Sequence, residues 1–129
     1  MDAPLGKVLV VDDEREFLDT LADYLEGQGY AVARAAGGDE ALACVRRDPP
    51  DAVLLDIRMP GVNGLEVLRR LRRDRPAVPV VMLTGVDDEA LARSALQIGA
   101  LDYVRKPFDP DQLNRVVLAA IGRASGGRG

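Results

Sequence analysis

At 129 residues the chain fits one domain, large enough to bury a core without disulfide or metal staples. Apolar residues make up 47% and charged residues 29%, a globular profile, and no apolar run approaches the roughly 18 residues that span a bilayer. A net charge of −4 argues against a nucleic-acid surface, and the absence of histidine excludes imidazole acid–base catalysis, histidine metal ligands and phosphohistidine chemistry on this chain.

Met1 to Lys7 lacks the basic and apolar blocks of a signal peptide, and Cys44 is the single cysteine, so the expected location is a reducing cytoplasm. Short apolar runs then alternate with longer amphipathic segments. Val8-Leu9-Val10-Val11 predicts a first strand, and a first helix follows with Phe17, Leu18, Leu21 and Leu25 on one face, stopping at Gly27 or Gly29. The second strand, Tyr30 to Ala35, is less apolar and reads as an edge. A second helix carries Ala41, Leu42 and Val45 and ends at Pro49-Pro50.

Ala52-Val53-Leu54-Leu55 predicts the third strand. A loop with Pro60-Gly61 and Asn63-Gly64 leads to a third helix, where Val67, Leu68 and Leu71 repeat at helical spacing and Asn63 with Glu66 forms a cap. Val80-Val81-Met82-Leu83 is the fourth strand, and Leu91, Ala95 and Ile98 mark a fourth helix closed by Gly99. A short fifth strand lies around Tyr103-Val104. The fifth helix opens on Asp109, Pro110 and Gln112 and presents Leu113, Val116, Val117, Ala120 and Ile121 for burial.

Five βα units predict an α/β fold: a doubly wound five-stranded parallel sheet of order 2-1-3-4-5, flavodoxin-like, with the solidly apolar strands 1, 3 and 4 at its centre. The domain occupies residues 1–122, and the Gly-, Ser- and Arg-rich residues 123–129 read as a flexible tail or the start of a linker.

The polar residues gather where the strands end. Strand 1 runs into Asp12-Asp13-Glu14, strand 3 into Asp56, strand 4 into Thr84-Gly85 and strand 5 into Arg105-Lys106-Pro107. Ligands bind such sheets at the carboxyl ends of the strands, near the switch point between strands 1 and 3. Any one of these residues has a structural reading, since an aspartate after a strand is often a helix cap and a lone lysine is often solvated. Asp56 resists that reading because the next helix begins about eight residues later with its own cap.

The ordered set resembles the receiver domain of two-component response regulators over about residues 7–121. The matching residues are Val10-Val11-Asp12-Asp13-Glu14, Leu54-Leu55-Asp56-Ile57-Arg58-Met59-Pro60-Gly61, Asn63-Gly64, Leu83-Thr84-Gly85, Gly99-Ala100, Asp102-Tyr103 and Lys106-Pro107-Phe108. The resemblance implies Asp56 as phosphoacceptor, with Thr84 and Lys106 assisting and Thr84 and Tyr103 acting as switch residues. Three carboxylates against Lys106 leave a formal charge of −3 + 1 = −2, and each close pair repels by roughly 4 kcal/mol at 4 Å and an effective dielectric of 20. A divalent cation cancels that remainder, and an all-oxygen site suits Mg²⁺. By resemblance Asp13 and Asp56 ligate it directly, Asp12 acts largely through water, and the backbone carbonyl of Arg58 completes the protein share. The resemblance also makes the bond before Pro107 a cis candidate, and puts Arg58 and Val86 where phosphoryl lifetime is tuned.

The implied partners are a histidine kinase or histidine phosphotransfer protein, a second copy through the surface of the fourth helix, fifth strand and fifth helix, and an output domain beyond the tail. The chain reads equally as a stand-alone receiver or as the first part of a longer regulator, with no membrane or direct nucleic-acid contact. A phosphatase of the haloacid-dehalogenase type is an alternative, but it places D-x-D after its first strand, where this chain has adjacent Asp12-Asp13. An inert receiver-like module has no need for all five of Asp12, Asp13, Asp56, Thr84 and Lys106. A mononucleotide-binding flavodoxin lacks its phosphate loop here, Gly37-Gly38 being too slight.

Overall fold

The structure, a computed structural model, describes residues 3–59 and 63–126, with side chains described as far as residue 122. The elements alternate as β1 (Lys7–Val11), α1 (Arg15–Gly27), β2 (Ala31–Ala35), α2 (Gly38–Arg47), β3 (Ala52–Asp56), α3 (Gly64–Asp74), β4 (Val80–Thr84), α4 (Glu89–Ile98), β5 (Asp102–Arg105) and α5 (Pro110–Gly126). All four strand pairings are parallel, and the sheet order is β2-β1-β3-β4-β5, as the apolar pattern predicts.

The central strands are apolar on both faces because both faces are covered. Leu9, Val11, Val53, Leu55, Val80 and Met82 pack into one core with residues of α2, α3 and α4. The alternate residues Val8, Val10, Ala52, Leu54, Val81 and Leu83 pack into a second core with Leu18, Leu21 and Leu25 of α1 and Leu113, Val117 and Ala120 of α5. Each fully buried leucine or valine contributes roughly 1.5–3 kcal/mol, which fixes the registers that aim the strand ends. The edge strand β2 is only partly buried until Ala35.

Local signals set the helix ends. Asn63 Oδ1 accepts the Glu66 amide at 3.0 Å and starts α3. Asp109 Oδ1 accepts the Asp111 amide at 3.2 Å at the head of α5. Gly99 closes α4 with φ +131°, a left-handed conformation that favours glycine.

The structure departs from the sequence reading at three places. In α4 the buried residues are Ala92 and Ala95, while Leu91 and Ile98 are half-buried, because α4 sits against the sheet on its small side chains. In α5, Val116 and Ile121 are likewise half-buried. The α5 backbone also continues to Gly126, past the expected boundary at residue 122, since Arg123 and Ala124 are good helix formers that carry it through the glycines and serine. Pro60 and Gly61 of the expected loop, and residues 127–129 of the expected tail, lie outside the described residues. Among the described residues no helix is long and apolar enough to cross a membrane.

Candidate functional site

The sheet ladder delivers the polar residues to one edge. The Asp12 amide continues the β1–β2 ladder by donating to the Ala35 carbonyl at 3.1 Å, and the Lys106 amide continues β4–β5 by donating to the Thr84 carbonyl at 2.8 Å. Asp56 and Thr84 are the last residues of β3 and β4. Asp12, Asp56 and Thr84 are all buried, whereas Asp13 faces solvent.

One carboxylate oxygen from each of Asp12, Asp13 and Asp56 lies within 4.8 Å of the others. Lys106 Nζ enters the same cluster, 2.6 Å from Asp12 Oδ2, 3.5 Å from Asp56 Oδ2 and 3.8 Å from Glu14 Oε1. Asp12 Oδ1 accepts the Glu14 amide at 2.9 Å, and Asp56 Oδ1 accepts the Arg58 amide at 3.2 Å. Asp12 Oδ2 is fully buried and receives no aligned hydrogen bond, even though the ammonium stands close. A buried charged oxygen beside two more carboxylates is a donor set for a hard divalent cation.

The electrostatics carry the strain of that arrangement. Burial and the Asp12 charge push the Asp56 carboxyl up to about 7, against the opposing pull of Lys106 and the Arg58 amide. Burial acts to lower the Lys106 ammonium, but the close ion pair with Asp12 and the charges of Asp56 and Glu14 outweigh it and raise the group above its usual value. Lysine is therefore charged, and Asp56 is the group whose charge the cluster resists.

The pleat separates Asp56 from Thr84 and Tyr103. Asp56 shares its face of β3 with Leu54, on the α1–α5 side, whereas Thr84 shares its face of β4 with Met82, on the α2–α4 side. Tyr103 is paired with Met82 and packs half-buried against that same core, so Thr84 and Tyr103 lie on one face of adjacent strands. The Lys106–Pro107 peptide bond is cis. Val86 is 71% exposed.

Two residues that sequence reading did not single out belong to this edge. Asp88 is buried, accepts the Gly85 amide at 2.8 Å, and pairs with the Arg58 guanidinium. Phe17 lies under the Lys106 ammonium, with Nζ 4.5 Å from the ring centroid. Gly64 also has a specific role: a Cβ there would stand 2.3 Å from the Asp56 carbonyl oxygen, so only glycine lets α3 start against the end of β3.

With this geometry in place, the family model for the response regulator receiver domain matches residues 8–118. The chain belongs to that family. The receiver is 43% identical over 123 residues to the DNA-binding response regulator MtrA of Mycolicibacterium smegmatis, covering 95% of this chain and 54% of the relative. It is 40% identical over 118 residues to the alkaline phosphatase synthesis transcriptional regulatory protein PhoP of Bacillus subtilis, covering 92% and 49%. The chain thus spans about half the length of the curated relatives it matches. The crystal structure of the receiver domain of NtrX from Brucella abortus superposes with a TM-score of 0.86 at 37% identity, covering 89% of this chain and 98% of that one. As a receiver, the chain is the phosphorylation-responsive signalling switch of a two-component response regulator.

Proposed function

We propose that Asp56 is the phosphoacceptor of this receiver, and that it takes the group from a phosphohistidine on a partner kinase or phosphotransfer protein. The observation that carries the reading is the meeting of the Asp12, Asp13 and Asp56 carboxylates with the Lys106 ammonium at the switch point between β1 and β3. An Asp56 carboxylate oxygen forms the new bond to phosphorus as the donor's P–N bond breaks, and the bonding pair leaves with the imidazole, which takes up a proton.

The residues present fit Mg²⁺, which Asp12, Asp13, Asp56 and the backbone carbonyl of Arg58 would hold. When bound, it supplies the positive charge that offsets the carboxylates and the transferred oxygens. Lys106 contributes a second positive charge to a phosphoryl oxygen, and the Thr84 hydroxyl donates to another. Thr84 moving toward the modified Asp56 vacates space on the face it shares with Tyr103, whose ring follows. That biases the α4-β5-α5 surface between two packings. Exposed Leu96 on α4 and Leu118 on α5 suit this surface to a second copy or an attached output domain. Water attacking the acyl phosphate reverses the modification, with Arg58 and Val86 bordering its path. The protein is a stoichiometric acceptor rather than an enzyme turning over free substrate, and it works in the cytoplasm.

Beryllofluoride with Mg²⁺ tests the reading. Amide resonances around Thr84 and Tyr103 are expected to shift and to return on chelation. A folded protein whose spectrum ignores the mimic would be an inert module instead.

A further inference from the structure

We propose that Phe17 is a positioning residue for phosphotransfer, its ring face holding the Lys106 ammonium against Asp56; this rests on the acceptor reading above. Lys106 Nζ lies 4.5 Å from the centroid of the Phe17 ring, well inside the range of a cation–π attraction. Among the described residues, the ammonium forms ion pairs with Asp12 at 2.6 Å, Asp56 at 3.5 Å and Glu14 at 3.8 Å. The ammonium is thus offered three carboxylates by a flexible four-carbon stem, and they are not equivalent. Asp12 and Asp56 are buried, but Glu14 is 71% exposed and would draw the ammonium outward into water. The aromatic face supplies attraction on the buried side of that competition. It also displaces water from the ammonium, which strengthens its pull on the acceptor.

The ring itself is braced by the loop that carries the lysine. Phe108, two residues after Lys106, packs against Phe17 edge-on, with centroids 6.2 Å apart and planes at 76°. Tyr24, nearly two turns further along α1, lies against Phe108 at 5.6 Å and 47°. The Tyr24 hydroxyl donates to the Pro110 carbonyl at 3.2 Å, tying α1 to the head of α5. Each side of the bracket therefore fixes the other: α1 presents the ring, and the segment from Lys106 to Pro110 holds it in place. A leucine at position 17 would fill comparable apolar space without attracting a cation.

The test uses the whole chain, which has only two lysines, Lys7 and Lys106, so lysine labelled with ¹³C gives two resolvable sets of side-chain signals. In the unphosphorylated wild type the Lys106 ε-methylene protons are expected to be displaced upfield by the ring. Phe17→Tyr should keep the displacement and Phe17→Leu should lose it, with Lys7 unmoved. Phosphorylation by a small phosphoramidate donor with Mg²⁺ should slow by roughly three- to tenfold in Phe17→Leu and stay near the wild-type rate in Phe17→Tyr. Phe108→Leu, which leaves the ring unbraced, should act in the same direction by less and serves if Phe17→Leu fails to fold. An undisplaced Lys106 signal in the wild type, or a folded Phe17→Leu or Phe108→Leu protein with wild-type signal and rate, would overturn the proposal. A wild type that shows the displaced signal but takes no phosphoryl group would sink the acceptor reading, and the phosphotransfer role of Phe17 with it.

Discussion

Arg58 reaches across from the loop after β3 to pair with Asp88 at the head of α4, thirty positions away in the chain. The carboxylate spans two loops: one oxygen meets the guanidinium and the other accepts the Gly85 amide at 2.8 Å. Asp88→Asn keeps an acceptor for Gly85 but loses the ion pair, and is expected to cost about 1 kcal/mol. Asp88→Leu strands the Gly85 amide as well and is expected to cost about 2–3 kcal/mol. Urea unfolding of the two variants reads the difference; equal losses would mean that the Gly85 bond contributes nothing.

The same pair makes an acid-side prediction. Burial acts to raise the Asp88 carboxyl, but the hydrogen bonds from Arg58 and Gly85 and the charges of Arg58 and Lys106 prevail and hold it below its ordinary 3.8. A depressed carboxyl stabilises the fold above its unfolded value, and that contribution is lost as pH falls below about 4. Asp88→Asn should therefore show a shallower loss of stability between pH 4 and 2 than the wild type, on the order of that single group.

Asp56 behaves oppositely. With its carboxyl raised from 3.8 to about 7 by burial and the Asp12 charge, the metal-free folded protein binds more protons than the unfolded chain across that window. Stability is then fully present below the unfolded value and falls as pH rises towards 7, by roughly 4 kcal/mol at most. Asp56→Asn should flatten this slope and leave the metal-free protein more stable than wild type at pH 8. Added Mg²⁺ at pH 8 should stabilise wild type and leave Asp56→Asn nearly unchanged. Chemical denaturation at pH 5 and 8, with and without Mg²⁺, measures all four quantities.

The architecture was legible in the sequence because β1, β3 and β4 are unbroken apolar runs, a pattern that only a doubly covered parallel sheet demands. Asn63 and Asp109 were readable as caps because their bonds close within three residues. Asp88 was not, because an aspartate before a helix looks like a cap; its carboxylate makes no such bond and turns back to the Gly85 amide and across to Arg58, a partner set by the tertiary fold. Phe17 was hidden for a similar reason, since one apolar residue on an amphipathic face is indistinguishable from core until a cation is found above it. The helical backbone past residue 122 was not legible, because glycine and serine composition signals coil, while the preceding turns are already nucleated and extend cheaply.

Gly64 offers a test of how tightly the Asp56 backbone is held. A methyl group there would stand 2.3 Å from the Asp56 carbonyl oxygen and 2.7 Å from the Ile57 Cα, both backbone atoms that cannot step aside. Gly64→Ala is expected to destabilise by about 2–4 kcal/mol despite the better helix propensity of alanine. It should also slow phosphorylation, because any relaxation moves Asp56. Thermal unfolding together with the phosphorylation rate checks both; a stabilised variant would mean that α3 can slide without cost.

Intact-mass measurement after treatment with a small phosphodonor and Mg²⁺ tests the acceptor assignment most directly. The wild type should gain one phosphoryl mass, lose the gain on chelation before treatment, and show none in a folded Asp56→Asn variant. An Asp56→Asn protein that labels as fast as wild type, or a wild type that labels equally without divalent cation, would contradict the site as drawn.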